Sequence, residues 1–409
     1  MITRVKTIDP STIQFSSDDI EDPQVHVTDP VTLSILKEAA KLLTEDQVIA
    51  VPTETVYGLA SNALSPIAIK KIYSVKDRPS DNPLIVHVSS LKMLRSLLPP
   101  KENSNIGEIP LIYEQIIKNF WPGPLTILLP KSLLIPSEVT CGQSTVAMRF
   151  PSHPITRALI SLCGFPLAAP SANASGRPSP TLASHVLMDL NGKISLIIDG
   201  GQCNHGVEST VFDAIGSQAP VILRPGGLTF ESLRRMPGME NIRIYNKDFV
   251  DKKLEMVPTT PGMKYRHYSP NAQVILVDVC DKHKSHDIMK REIRQMGENG
   301  ERAIGILATR TSYVTSNEEN GKKNGKIISS DDHLFSNVKS NSRGTIKIIE
   351  YTLGDSTHPE QIAKELFKGL RYLDERNVDC IIVEGIPEKE EGLAIMNRLR
   401  KAASKIIGE

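Results

Sequence analysis

Val51-Pro-Thr-Glu-Thr-Val-Tyr-Gly-Leu-Ala60 continues the apolar run Val48 to Val51, and this junction decides how the chain is read. A short β-branched run bounded by turn residues reads as a buried strand. Here it delivers hydroxyl and carboxylate side chains to the strand's end. Two further stretches have the same make-up: Lys76-Asp-Arg-Pro-Ser-Asp-Asn-Pro-Leu84 and Pro170-Ser-Ala-Asn-Ala-Ser-Gly176. Each sets small hydroxyl or amide side chains, a cation or a glycine beside an apolar run. Together they predict an anion-binding pocket at the ends of several strands.

Helices and strands interleave outward from that junction. Residues 1–24 are polar without a clear period and read as an extended lead-in. Val31, Leu33, Ile35, Leu36, Ala39, Ala40, Leu42 and Leu43 form a helical stripe, with Asp29-Pro30 as N-cap and first helical residue. Ser65-Pro66 opens a second helix ending before Asp77. Strands are expected at 83–88, 125–129, 145–150, 167–169, 196–199, 207–212 and 221–223, and helices at 111–120 and 155–163. This predicts an α/β domain over residues 25–240, a twisted mixed sheet with flanking helices.

From 241 to 271 the period fades while Pro258, Pro261, Gly262 and Pro270 accumulate, which marks a linker. Residues 272–409 then alternate strand (274–279), helix (288–296), strands (303–308, 346–351), helix (359–373), strand (378–383) and helix (392–404). That is the pattern of a smaller, Rossmann-like parallel α/β domain. It has no G-x-G-x-x-G, so dinucleotide binding is unsupported. Ser316 to Arg343, rich in Asn, Ser, Lys and Gly, reads as a disordered insertion.

Composition excludes several classes. With 48 Lys+Arg against 47 Asp+Glu among 409 residues, the chain is no polycation built to coat nucleic acid. Five scattered cysteines fit neither a disulfide framework nor a CxxC zinc site. No apolar run approaches the ~20 residues of a membrane span, and acids at 9, 18, 19, 21 and 22 interrupt any signal core. A cytoplasmic protein with no membrane contact is expected.

In an extended segment Thr53 and Thr55 point one way and Glu54 the other, putting two hydroxyls in a cleft. Threonines are also simply common in strands. Lys76 and Arg78 follow a helix end, where cations favour the dipole, yet at this spacing they can also face one triphosphate. His87 sits in a strand with parity opposite to Leu84, Val86 and Val88, either as a structural residue or as a ligand. Thr145 and Arg149 bracket a strand on one face, and a buried arginine there needs an anionic partner or water. Ser171 and Asn173 face one side of their loop, a turn or cap by the plainer reading. Ser209 in Glu-Ser-Thr and Arg224 in Arg-Pro-Gly-Gly complete the set. P-loop spacing, HExxH, Ser-His-Asp elbows and metal-ligand clusters are absent from the sequence.

These segments, with Trp121-Pro-Gly-Pro-Leu-Thr126, Val207-Glu-Ser-Thr-Val211 and Leu223-Arg-Pro-Gly226, resemble the YrdC-type domain of threonylcarbamoyl-adenylate synthases. Pro261-Gly-Met-Lys-Tyr-Arg-His-Tyr-Ser-Pro270 and the chain after it resemble the linker and second domain of the long form. The similarity runs over roughly residues 25–409, with the motifs in order. It implies threonine binding by Thr55, His87, Arg149, Ser171 and Ser209. It implies ATP binding by Lys76, Arg78, Asn82, Thr145, Asn173, Thr181 and Arg224. Threonine and bicarbonate or CO2 would give N-carboxythreonine, whose carbamate oxygen attacks the α-phosphate of ATP to yield threonylcarbamoyl-adenylate and pyrophosphate.

The carbamate is already anionic, so no residue is assigned as acid or base, and Mg²⁺ would arrive with ATP, held mainly by phosphates and water. The product would pass to a tRNA threonylcarbamoyl-transferase complex that modifies adenosine 37 of tRNAs reading ANN codons. Thr260, Lys264, Tyr265, Arg266 and His267 are expected to act as a lid. A weak tRNA contact of this enzyme is a further partner expectation. Two rivals remain: an RNA-binding module using the same basic cleft, and carbamoyl transfer as in hydrogenase-maturation proteins. Balanced charge and 5% aromatic content count against the first. The missing acylphosphatase and zinc-finger modules count against the second.

Overall fold

The computed structural model describes residues 2–16, 20–101, 106–216, 219–249, 267–279, 281–300, 303–309, 326–328 and 347–408. The chain forms two compact units, Met1–Ser175 with Ser179–Tyr265, and Gly176–Pro178 with Arg266–Glu409. The first contains β1 (Arg4–Thr7), β2 (Ile13–Phe15), β3 (Val25–Val27), α1 (Pro30–Thr44), β4 (Ile49–Val51), β5 (Gly58–Asn62), α2 (Pro66–Lys76) and β6 (Ile85–His87). It continues through α3 (Leu91–Ser96), α4 (Glu114–Phe120), β7 (Leu125–Pro130), α5 (Ser137–Thr140), β8 (Thr145–Arg149), α6 (Pro154–Cys163) and β9 (Leu167–Ala168). Last come α7 (Ala183–Leu190), β10 (Leu196–Asp199), β11 (Thr210–Asp213), β12 (Val221–Arg224), α8 (Phe230–Arg234) and β13 (Arg243–Ile244).

Eleven of these strands form one sheet in the order β1-β10-β4-β5-β9-β6-β8-β7-β11-β12-β13. Parallel pairs such as β6/β8 and β7/β11 mix with antiparallel pairs such as β7/β8 and β4/β5, as expected for a mixed sheet. The cap read at Asp29 is present, its carboxylate accepting from the Thr32 amide at 2.7 Å with Pro30 next. The helix it starts buries Ile35, Leu36, Ala39 and Leu43 against Ile155, Ala158 and Leu159 of α6 and against β4 and β10. Each such aliphatic side chain contributes about 1.5–3 kcal/mol on burial, so this layer firmly anchors the strand that carries Pro52 to Tyr57.

The lead-in reading of 1–24 needs correction. Arg4–Thr7 is an edge strand parallel to β10, and Ile13–Phe15 pairs with Val25–Val27. All four side chains of β1 are exposed, so the strand is held by backbone hydrogen bonds and shows no apolar period. The linker reading over 241–271 also shifts, because Arg243 and Ile244 pair in parallel with Val221 and Ile222.

The second unit holds β14 (Gln273–Asp278), α9 (Lys282–Asn299), β15 (Ala303–Ala308), β16 (Lys326–Ile328), β17 (Lys347–Thr352), α10 (Pro359–Asp374), β18 (Cys380–Glu384), α11 (Gly392–Ala402) and β19 (Lys405–Gly408). Its strand order is β16-β17-β15-β18-β14-β19, parallel except for β16, which is the Rossmann-like alternation expected. Two details differ. The stretch read as disordered, 316–343, contains the strand Lys326–Ile328, the rest lying outside the described residues. The final helix stops at Ala402 and the chain adds a sixth strand.

Candidate functional site

The chain leaves β4 at Val51 and turns at once. The Thr53 hydroxyl accepts from the amides of Thr55 and Val56, both at 3.2 Å, and donates to the Val56 carbonyl at 2.6 Å. Such a side-chain-to-backbone turn replaces extended geometry, so the alternation expected for 53–55 fails. Glu54 and Thr55 reach the same partner. Arg149, the last residue of β8, donates from Nη2 to Glu54 Oε1 at 2.5 Å, from Nη1 to Thr55 Oγ1 at 2.8 Å, and from Nε to the Gly123 carbonyl at 3.2 Å.

Both partners of the Glu54–Arg149 pair are 4% exposed. Burial pushes the Glu54 carboxyl up, but the charge and hydrogen bond of Arg149 outweigh it and hold the group below its ordinary value. His87 lies level with Arg149 on the parallel neighbour β6. Burial, helped by the Arg149 charge, lowers its pKa to about 3, so the ring is neutral. Its Nδ1 is 3.2 Å from the Ile85 carbonyl, and the ring also bonds the Leu167 backbone.

Across the sheet, Thr126 pairs with Arg149 in register. Its hydroxyl is 2.8 Å from that of Ser209, which immediately precedes β11. Arg224, the end of β12, donates from Nη2 to the Ser209 carbonyl at 2.9 Å. A Cβ at Gly226 would lie 2.3 Å from the Glu208 carbonyl oxygen, so only glycine permits this crossing. Thr55, His87, Arg149 and Ser209 therefore converge where β6 and β8 end and β7 and β11 begin.

The nucleotide candidates are spread: Arg224 sits beside Ser209 at the threonine end, Thr145 opens β8 at its opposite end, Lys76 ends α2 with Arg78 and Asn82 in the segment after it, and Asn173 and Thr181 lie between β9 and α7. Lys76, only 2% exposed, donates to the carbonyls of Ser171 and Asn173, the latter at 2.5 Å. Far from a solvated cation, it fastens the Pro170–Gly176 loop, whose Ala172 amide donates to the Tyr57 carbonyl at 2.8 Å. Thr145 and Arg149 are about 13 Å apart by strand rise. Arg78 donates to the carbonyls of Asn82 and Pro83, both at 3.1 Å, beside the start of β6. Among the described residues Asn82 Oδ1, Thr181 Oγ1 and Glu54 Oε2 are buried with no hydrogen-bond partner, as expected of groups awaiting ligand or water.

Of the expected lid residues, Thr260, Lys264, Tyr265 and Arg266 lie outside the described residues. His267 packs its ring 5.6 Å from Tyr268, which stacks on Phe367 inside the second unit. Glu54 and Thr126 escaped sequence reasoning. The signal for Glu54 was a turn-forming threonine just before it. Among the described residues no group of three or more His, Cys, Asp or Glu could hold a metal ion, and no helix is long and apolar enough to cross a membrane. A cavity of about 940 Å³ near Leu91, Arg95 and Ile117 contains none of the candidate residues. The site is defined by converging polar side chains instead.

Residues 41–226 match a family model described as "Telomere recombination" (Sua5, YciO and YrdC), and residues 228–404 match one described as "Threonylcarbamoyl-AMP synthase, C-terminal domain". A Schizosaccharomyces pombe threonylcarbamoyl-AMP synthase is 42% identical, covering 99% of this chain and 98% of its own. The chain belongs to the threonylcarbamoyl-AMP synthase family. The Pyrococcus abyssi member is 43% identical over 90% of this chain and 94% of its own. The crystal structure of P. abyssi Sua5 complexed with L-threonine matches all of both chains with a TM-score of 0.76 at 39% identity.

Proposed function

We propose that the chain makes L-threonylcarbamoyl-adenylate from L-threonine, bicarbonate or CO2, and ATP, releasing pyrophosphate. The observation that carries this is the near-complete match to threonylcarbamoyl-AMP synthases, joined to hydroxyl and cationic side chains that converge where β6 and β8 end and β7 and β11 begin. Such a site suits adenylyl transfer, which asks for positioning and charge neutralisation more than for covalent help.

In this reading Thr55, His87, Arg149, Ser171 and Ser209 hold threonine. Thr55 Oγ1 accepts from Arg149 Nη1 and lies 2.8 Å from the Thr53 hydroxyl, whose own oxygen already accepts from two amides. Its remaining hydrogen-bonding capacity is what it offers the amino acid. Neutral His87 adds no charge. Lys76, Arg78, Asn82, Thr145, Asn173, Thr181 and Arg224 bind ATP, which brings Mg²⁺ with it. Lys76 acts partly through the loop it fastens. The carbamate oxygen attacks the α-phosphorus, the bond to the β-phosphate oxygen breaks, and pyrophosphate leaves with the electron pair.

The Pro258–Pro270 segment is kept as a lid on sequence grounds: three potential cations and an aromatic fall within Lys264-Tyr-Arg-His267. The adenylate would pass to a separate tRNA threonylcarbamoyl-transferase complex in the cytoplasm, as the first step of N6-threonylcarbamoyladenosine formation. The test is pyrophosphate release by the purified chain. It should require both threonine and bicarbonate and yield the adenylate by mass spectrometry. Release that ignores either substrate overturns the proposal.

A further inference from the structure

Glu54 has no part in the chemistry above, yet it is a buried carboxylate, 4% exposed, tied on several sides. Its carboxylate meets Arg149, its backbone carbonyl accepts from the His205 amide at 2.9 Å, and the turn that presents it is tied by Thr53. Arg149 is consequently held in three directions of its guanidinium plane, by Gly123, Thr55 and Glu54. One N–H remains on each terminal nitrogen. Breaking a buried pair by removing one partner leaves an uncompensated charge, so the two residues form one unit.

We propose that Glu54 is a positioning and specificity residue for the threonine site: it aims Arg149 and cancels its charge, so that the site takes a zwitterionic amino acid and refuses simple inorganic anions. This rests on the assignment of Arg149 to threonine. The groups around the pair support it. His87, His153 and His205 are all held toward the neutral form by burial. Arg157 is within the influence of Glu54, but its guanidinium lies over the Phe15 ring at 3.6 Å. With Glu54 ionised, Arg149 presents directed N–H donors without a net positive charge. L-threonine, neutral overall at pH 7, satisfies such an array. A bare Arg149 would attract any small oxyanion.

The test uses the full chain with Glu54→Gln, which keeps volume and an acceptor for Arg149 but removes the charge. Calorimetry should show threonine binding weakened about 10- to 100-fold and ATP binding within about twofold. Sulfate should become a competitor of threonine at roughly tenfold lower concentration than in the wild type. In an Arg149→Met background, Glu54→Gln should add no further loss of threonine binding. Glu54→Asp, which restores the charge, should recover sulfate resistance. Unchanged threonine binding overturns the proposal. So do equal losses of threonine and ATP binding, unaltered sulfate sensitivity, or additive effects with Arg149→Met. If the wild-type chain bound no threonine, the functional reading itself would be what failed.

Discussion

Replacing Thr55 by valine deletes one oxygen while nearly keeping the side-chain shape. That oxygen is 2.8 Å from Arg149 Nη1 and 2.8 Å from the Thr53 hydroxyl, in a residue with no exposed surface. Thr53 loses little, since its hydroxyl keeps two amide donors and the Val56 carbonyl. Arg149 loses an acceptor for a buried, charged N–H, which costs about 1.5–3 kcal/mol. If the site pays this in threonine binding, the threonine KM rises about 10- to 150-fold, with the ATP KM nearly unchanged. Any part that falls on the fold lowers Tm by about 2–4 °C per kcal/mol for a unit of this size. The assay is pyrophosphate release with each substrate varied in turn, beside a melting curve. Thr55→Ser, which keeps the oxygen, should stay near wild type. A threonine KM within threefold of wild type, or equal shifts in both constants, would refute the assignment of Thr55.

His87 supplies a pH test: its folded pKa of about 3 lies below the unfolded value of about 6.5. The unfolded chain therefore binds the proton first, and stability is lost as pH falls below about 6.5, by about 2 kcal/mol at pH 5 from this residue. Melting of the wild type and of His87→Gln at pH 7 and pH 5 checks it, the mutant showing the shallower loss; equal slopes would sink the idea. Arg78→Ala and Arg224→Ala should each weaken ATP binding about 10- to 150-fold with circular dichroism unaltered, from lost charge-assisted contacts, and wild-type turnover in either would remove its assigned role. Gly226→Ala must push the backbone at Glu208 and Ser209 aside; a Tm and a threonine KM both at wild-type values would show that the crossing is not tight. Protease cleavage within Pro258–Pro270 of the full chain should slow when ATP and threonine are both present, and an unchanged rate would leave that segment a tether.

The parts legible from sequence were those written in glycine, proline, threonine and apolar period. Asp29-Pro30 and Ser65-Pro66 named two helix starts because capping is local chemistry. The site loops stood out because hydroxyls and amides beside apolar strands have no core role. Pairings between distant residues were not legible. Nothing local says that Glu54 meets Arg149, or that the Lys76 ammonium goes to Ser171 and Asn173, since both depend on which strand ends meet. The turn at Thr53 also broke a parity argument that assumed extended backbone. Short strands such as Ile13–Phe15 and the mostly exposed Lys405–Gly408 escaped because three or four residues carry too little apolar period and their pairing partners lie elsewhere in the chain.

The edge strand Arg4–Thr7 meets its neighbour through backbone pairing while all four of its residues are exposed, Arg4 reaching Glu38 of α1. Its sequence is therefore nearly free to drift, while its conformation is not. Most substitutions at Val5 or Lys6 should pass unnoticed. Proline is the exception, because it removes an amide from the ladder and uncovers Leu196 to Asp199, a mostly apolar strand whose bare edge would invite another chain to pair with it. The least informative letters of the sequence thus guard the protein against association with its own kind.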